Sequence, residues 1–210
     1  MKKLLISIMV VFMISLLAVG CDGGESTRVE DENGNGEEEA AEENGNGEEE
    51  AEETEQDKNA RQNPAEIGER FRVSRDYFAF GKVTFEIEML DVISGDEAWQ
   101  IVHEGNQFNE EPEEGMEYVL AEFEVEIIET EEDEAFSPSL QLHFDAVSED
   151  GVQYDAFVSV AGIDDLSADL YEGASVTGYH AEIVEKDDNP VLAVDRGRDT
   201  EVWFDLRANK

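Results

Sequence analysis

Hydrophobic and polar residues alternate along the C-terminal two thirds of the chain with a period of two. In Glu117 to Ile128, Val119, Ala121, Phe123, Val125 and Ile127 share one parity, and Glu122, Glu124 and Glu126 take the other. Successive side chains of an extended chain point to opposite faces, so this pattern predicts a half-buried strand. The same reading puts Val83, Phe85, Ile87 and Met89 inward and Thr84, Glu86 and Glu88 outward; Leu90 and Val92 then continue on the other parity. Such a switch predicts a bulge or a strand that changes sheets.

Leu140, Leu142, Phe144 and Ala146 predict a third strand, closed by a turn at Ser148-Glu149-Asp150-Gly151, where Asp-Gly tolerates positive φ. Val152–Val160, Ala174–Val184, Val191–Val194 and Glu201–Leu206 follow as strands, and Arg70–Ser74 is the expected first edge. The longest helical run is expected at Asp164–Tyr171. These elements predict an all-β fold, an antiparallel β-sandwich of seven to eight strands over residues 63–210.

The start of the chain reads differently. Met1 to Cys21 has a basic opening at Lys2 and Lys3 and an apolar run of 16 residues from Leu4 to Val19, then Gly20 before the only cysteine of the chain. That is the layout of an export signal. The run is short of the roughly 20 residues a membrane-crossing helix needs. Leu17-Ala18-Val19-Gly20-Cys21 resembles the lipobox of bacterial lipoproteins, with Ala18 where that family prefers leucine. The resemblance implies that residues 1–20 are removed, that Cys21 carries a diacylglyceryl group, and that the protein is anchored by lipid on the extracellular face of the cell membrane. A lone cysteine forms no intramolecular disulfide, so the fold depends on its core.

Asp22–Lys58 carries 17 acidic side chains, two basic ones and, apart from alanine, one aliphatic residue, Val29. It has too little apolar surface to offset the entropy of ordering, and residues 21–62 are expected to be a disordered acidic stalk. The stalk contains a duplication: Glu32–Glu42 and Glu43–Glu53 match at ten of eleven positions. Asp31, Asn33, Asn35, Gly36 and Glu42 fit the spacing of a calcium loop, but Glu38 stands where such a loop has an apolar residue and neither flank is amphipathic. Weak, non-specific cation binding is the expectation there.

Charge narrows the partners. Asp and Glu number 55 against 14 Lys and Arg in 210 residues, a formal net charge of -41. A polyanion of this size is repelled by nucleic acid and by anionic headgroups. Residues 59–210 alone hold 38 acids and 10 bases, the balance of a protein from a salt-adapted bacterium, where dense carboxylates keep a surface hydrated. Glu110-Glu111-Pro112-Glu113-Glu114 and Glu129–Glu134 are read as solvated loops. Arg61, Arg70, Arg72, Arg75 and Lys82 are read as gatekeeping charges on an edge strand.

The Ile67-Gly68-Glu69 start, Gly115-Met116-Glu117-Tyr118-Val119, the Asp150-Gly151-x-x-Tyr154 hairpin, and Leu170-Tyr171-Glu172-Gly173 followed by Gly178 resemble the telokin-like domain of unknown function of bacterial lipoproteins. The likeness spans about Pro64 to Arg207 and implies an immunoglobulin-like β-sandwich, with no catalytic residues to carry over. The chain departs from that pattern in its acidic run Glu129–Glu134 and in an extra loop at Trp99–Asn109. His103, His143 and His180 lack a cysteine or carboxylate at metal-ligand spacing, and no nucleophile motif or phosphate loop is present. No enzyme activity, cofactor or metal site is expected. The chain reads as a non-catalytic binding module for an envelope protein or a glycan, with Trp99, Phe108 and Tyr171 as contact candidates. A structural or cation-buffering surface coat and an accessory subunit of an envelope enzyme are the competing readings.

Overall fold

The structure, a computed structural model, describes residues 24–29, 59–156 and 158–209. Cys21, the residues before it and the calcium-like spacing of residues 31–42 lie outside the described residues. Ten elements follow in order: β1 (Glu25–Arg28), β2 (Arg70–Tyr77), β3 (Gly81–Ser94), α1 (Gly95–Gly105), β4 (Met116–Thr130), α2 (Pro138–Gln141), β5 (Phe144–Val147), β6 (Ser175–Glu185), β7 (Val191–Val194) and β8 (Val202–Asp205). The expected all-β sandwich is what the chain adopts. One sheet runs β1-β2-β3-β4-β6 and the other β5-β7-β8, antiparallel throughout.

The inward parity of β3 and β4 makes the core. Phe85, Ile87, Met89, Phe123, Val125 and Ile127 are fully buried against Leu192 and Phe204 of the second sheet. Phe123 meets Phe204 edge-on at 5.2 Å, and Phe136 stacks on Phe85 at 6.0 Å. The parity switch of β3 is a bulge inside one strand: the register with β4 shifts between Met89 and Asp91. Beyond it Val92 returns to the core, while Ile93 packs on the opposite side of the sheet.

That opposite side is covered by α1, at the segment expected to be an extra loop. Ala98 and Val102, one turn apart, are buried against Tyr118 and Leu120 of β4. Asp96 and Glu97 occupy the first turn, where the helix dipole favours negative charge. The signal was present in Ala98, Trp99 and Val102 at helical spacing, and in Tyr118 and Leu120, apolar residues on the polar parity of β4.

Four other expectations are corrected. The strand expected over Leu140–Ala146 is halved: Pro138 fixes the first turn of α2, Leu142 N–H donates to the Pro138 carbonyl at 3.0 Å, and only Phe144–Val147 extends. After the Ser148–Gly151 turn the described residues of Val152–Val160 form no strand and make one bridge, Gln153 to Val147. Residues 164–171 are not helical. Asp165 bridges Tyr179, and Leu170 bridges Phe136. Gly178 permits the first crossing, since a Cβ there would collide with the Asp165 carbonyl.

The fourth correction concerns the stalk. Glu25–Arg28 is a strand paired with Phe71–Ser74, so β2 is interior to its sheet and its arginines guard no edge. Val29 N–H donates to the Arg70 carbonyl at 2.8 Å, and Arg28 pairs with Glu69 at 3.1 Å. Backbone pairing holds this strand where composition predicts disorder. The sandwich also begins earlier than residue 63: the Asn59 side chain donates to the Trp203 carbonyl at 2.9 Å and accepts from Trp203 N–H at 2.8 Å.

Candidate functional site

The charges of β2 divide by parity. Arg70 lies on the outer face, where its guanidinium reaches Glu88 at 2.7 Å, Glu124 at 2.5 Å, Glu86 at 3.4 Å and Glu126 at 3.6 Å. Arg72 adds a second contact to Glu86 at 2.6 Å. Burial works against the Arg70 charge, but the hydrogen bonds it donates to Glu88 and Glu124 more than offset it and raise the pKa further above its ordinary value. Arg75 points the other way. It is buried, pairs with Asp195 at 2.8 Å and lies 4.5 Å from the Tyr77 ring centroid. These arginines are structural, each paired with carboxylates of neighbouring strands or turns.

Glu110, Glu111, Glu113 and Glu114, between α1 and β4, are treated differently. All four are exposed, and none stands in an ion pair among the described residues. They rim two hollows of about 540 Å³ each, which share Glu111, Pro112, Glu113 and Met116. The first is lined also by Phe108, Tyr118 and Ile183. The second is lined by Trp99, with Lys186 its single cation against five carboxylates.

Trp99 is therefore not an exposed loop residue. It is half-buried on α1, stacked on Tyr118 at 5.9 Å with planes 7° apart, and 5.2 Å from the His103 ring. Phe108 is 83% exposed at the lip of the first hollow. Its loop is tied down by Asn109, whose side-chain amide donates to the Val102 and Ala161 carbonyls at 2.7 and 3.0 Å. Tyr118 donates its hydroxyl to the Glu110 carbonyl at 2.9 Å; burial first and the Glu110 charge second raise its pKa. Trp99 and Phe108 are thus brought to one end of the molecule.

Tyr171 is not. It lies in a turn whose Gly173 N–H donates to the Ile127 carbonyl at 2.7 Å, nine residues along β4 from Tyr118, or roughly 30 Å at strand spacing. It is 55% exposed and takes no part in either hollow.

The histidines gave one pairing that sequence reasoning missed. His180 Nε2 lies 2.8 Å from Glu182 Oε1, two positions along β6 and on the same face, and its ring stacks on Phe144 at 4.3 Å. A separate hollow of about 310 Å³ collects His143, His180, Asp165 and Tyr179. Among the described residues no three metal-binding side chains converge. The period-two spacing of His180 and Glu182 was the available signal.

No family model matches the chain, and no curated protein matches it. Among solved structures it is similar to a conserved hypothetical protein from Bacillus anthracis, with a TM-score of 0.34, 13% identity, and coverage of 56% of this chain and 87% of that one. Overlap of that extent transfers neither a site nor an activity.

Proposed function

We propose that the protein is a lipid-anchored extracellular lipoprotein whose sandwich is a non-catalytic binding module, with the α1 end as its recognition face. The observation that carries this is the hollow beneath Phe108: an apolar floor of Tyr118, Met116, Pro112 and Ile183 under a rim of unpaired carboxylates. Exposed aromatics beside desolvated apolar surface are the usual anchors of recognition, and the rim selects charge. The ligand class is a basic peptide segment with apolar side chains, displayed by an envelope protein. A surface coat calls for charge spread evenly round the molecule, whereas this end joins an apolar hollow to a charged rim. The lipobox-like ending at Cys21 and the resemblance to telokin-like domains of lipoproteins support the location, and the acidic composition supports a saline habitat.

The test is calorimetric titration of the full chain with a Lys/Arg-rich peptide bearing tryptophan or leucine, and with a glutamate-substituted control, in 0.5 M salt. Binding of the basic peptide alone, weakened about tenfold by Phe108→Ala, supports the reading. Binding that high salt removes and Phe108→Ala leaves untouched is diffuse charge attraction, and it overturns the proposal.

A further inference from the structure

β1 buries no apolar side chain. Its sequence is Glu-Ser-Thr-Arg, and its order comes from backbone pairing to Phe71–Ser74, the Arg28–Glu69 ion pair, and Arg28 lying 5.6 Å from the Phe71 ring centroid. Gly24 fits closely against Thr200 and the Ser74 carbonyl, where an added Cβ would collide with Thr200 Cγ2. Chain positions 30–58 then separate this strand from the rest of the sandwich.

The placement of β1 has a geometric consequence. Only Asp22, Gly23 and Gly24 stand between Cys21 and Glu25, so Cys21 lies within about 14 Å of the start of the strand. Glu25 is level with Ser74, Thr84 and Glu129 across the sheet. Tyr77 and the turn to Gly81 are three residues further toward that end, about 10 Å. Tyr118 lies eleven residues away along β4 in the other direction, roughly 36 Å.

We propose that β1 is a membrane-proximal clasp: while paired to β2, it holds the sandwich with its Tyr77–Gly81 hairpin against the bilayer surface and its α1 face outward. The inference rests on lipidation of Cys21. The acidic segment 30–58 then follows the clasp in the chain and is not the link between Cys21 and the domain. Phe78, 110% exposed at the hairpin tip, is the apolar side chain this end offers to the lipid interface. Glu131, which accepts from Lys82 N–H at 3.0 Å, belongs to the same end, so the covalent tether and not headgroup attraction sets the orientation.

The experiment uses the full lipidated chain in phosphatidylcholine vesicles carrying an energy-acceptor lipid. With the Cys21 thiol blocked as the diacylglyceryl thioether, Ala79→Cys or Gln107→Cys supplies the single free thiol for a donor dye. Transfer to the lipid acceptor is expected to be several-fold stronger from position 79 than from 107. Gly24→Val, which displaces the strand from Thr200, and Thr27→Pro, which removes a ladder donor, are each expected to abolish that difference while circular dichroism and peptide binding persist. Equal transfer from both positions in the parent chain, or a difference that survives both β1 variants, overturns the clasp. A chain that fails to bind vesicles and lacks acyl mass on Cys21 overturns the lipoprotein reading instead. The clasp is then read from spin labels on Cys21 itself: a short distance to position 79 and a long one to 107 supports it, and two equal or broad distributions overturn it.

Discussion

The outer face of β2–β4 and the loop between α1 and β4 are both rich in glutamate, and the fold treats them in opposite ways. On the sheet, Glu86, Glu88, Glu124 and Glu126 converge on Arg70, with Arg72 closing on Glu86. Four carboxylates on adjacent strands would repel one another, and one planar guanidinium with five donors lets them share a face. In the loop, Glu110, Glu111, Glu113 and Glu114 have no such partner and surround apolar surface. Paired charge here is scaffold. Unpaired charge beside exposed aromatics marks the face with something left to bind.

Breaking the paired side should cost most. Arg70→Ala leaves the glutamates facing one another on a surface where Arg70 itself is 29% exposed, and a loss of about 2 to 3 kcal/mol in urea unfolding at low salt is expected. Salt of about 1 M should recover much of that loss, because the Debye length falls to about 3 Å. A loss that salt does not reduce would place the role of Arg70 in packing.

Neutralising Glu110, Glu111, Glu113 and Glu114 to glutamine is the complementary change. Stability should move by less than about 0.5 kcal/mol, since exposed unpaired carboxylates contribute little, while affinity for a basic peptide should fall at least tenfold, about 1.4 kcal/mol. Stability loss as large as that of Arg70→Ala would show that the loop is scaffold after all. A smaller effect concerns the whole surface: the melting temperature of the parent chain should rise by several degrees between about 0.1 and 2 M monovalent salt, and less so in the loop variant. A flat response would remove self-repulsion as a factor.

Much of the paired side was legible in the sequence. Glutamates alternating with Val83–Met89 and with Val119–Ile127 fix which face carries charge, and the switch at Leu90 and Val92 located the bulge. The convergence on Arg70 was not legible, because it joins three strands whose register is set by hairpins and a bulge rather than by any local motif. The recognition face was half legible. Phe108, a contact candidate from sequence, is exposed. Comparison with the telokin-like pattern places Trp99 in an extra loop, although Ala98 and Val102 carry the helical period. β1 lay beyond composition altogether: Glu25–Arg28 has no apolar side chain to announce it, and only the open edge of β2 gives it a partner.

The smallest effect tests how far the loop's charge reaches, because one tyrosine of raised pKa lies under the loop and another in the core at the far end of β2. Tyr77, beside the buried Arg75–Asp195 pair, is raised by burial and then by Asp195; Tyr118, under the acidic loop, is raised by burial and then by Glu110. Tyr154, bonded to Asp188 Oδ2 at 2.6 Å, is pushed up to about 12, by burial first and by that bond second. A pKa higher in the folded than in the unfolded chain contributes stability below the ordinary tyrosine value near 10, and that contribution is lost as pH rises through the folded value. Folding should therefore weaken above about pH 10. In an ultraviolet phenolate titration the loop variant should bring Tyr118 down toward its ordinary value, since one of its two causes is removed, and leave Tyr77 where it is. If Tyr77 moves with it, the loop field reaches across the sandwich, and the division into a self-neutralised scaffold and an unneutralised face fails.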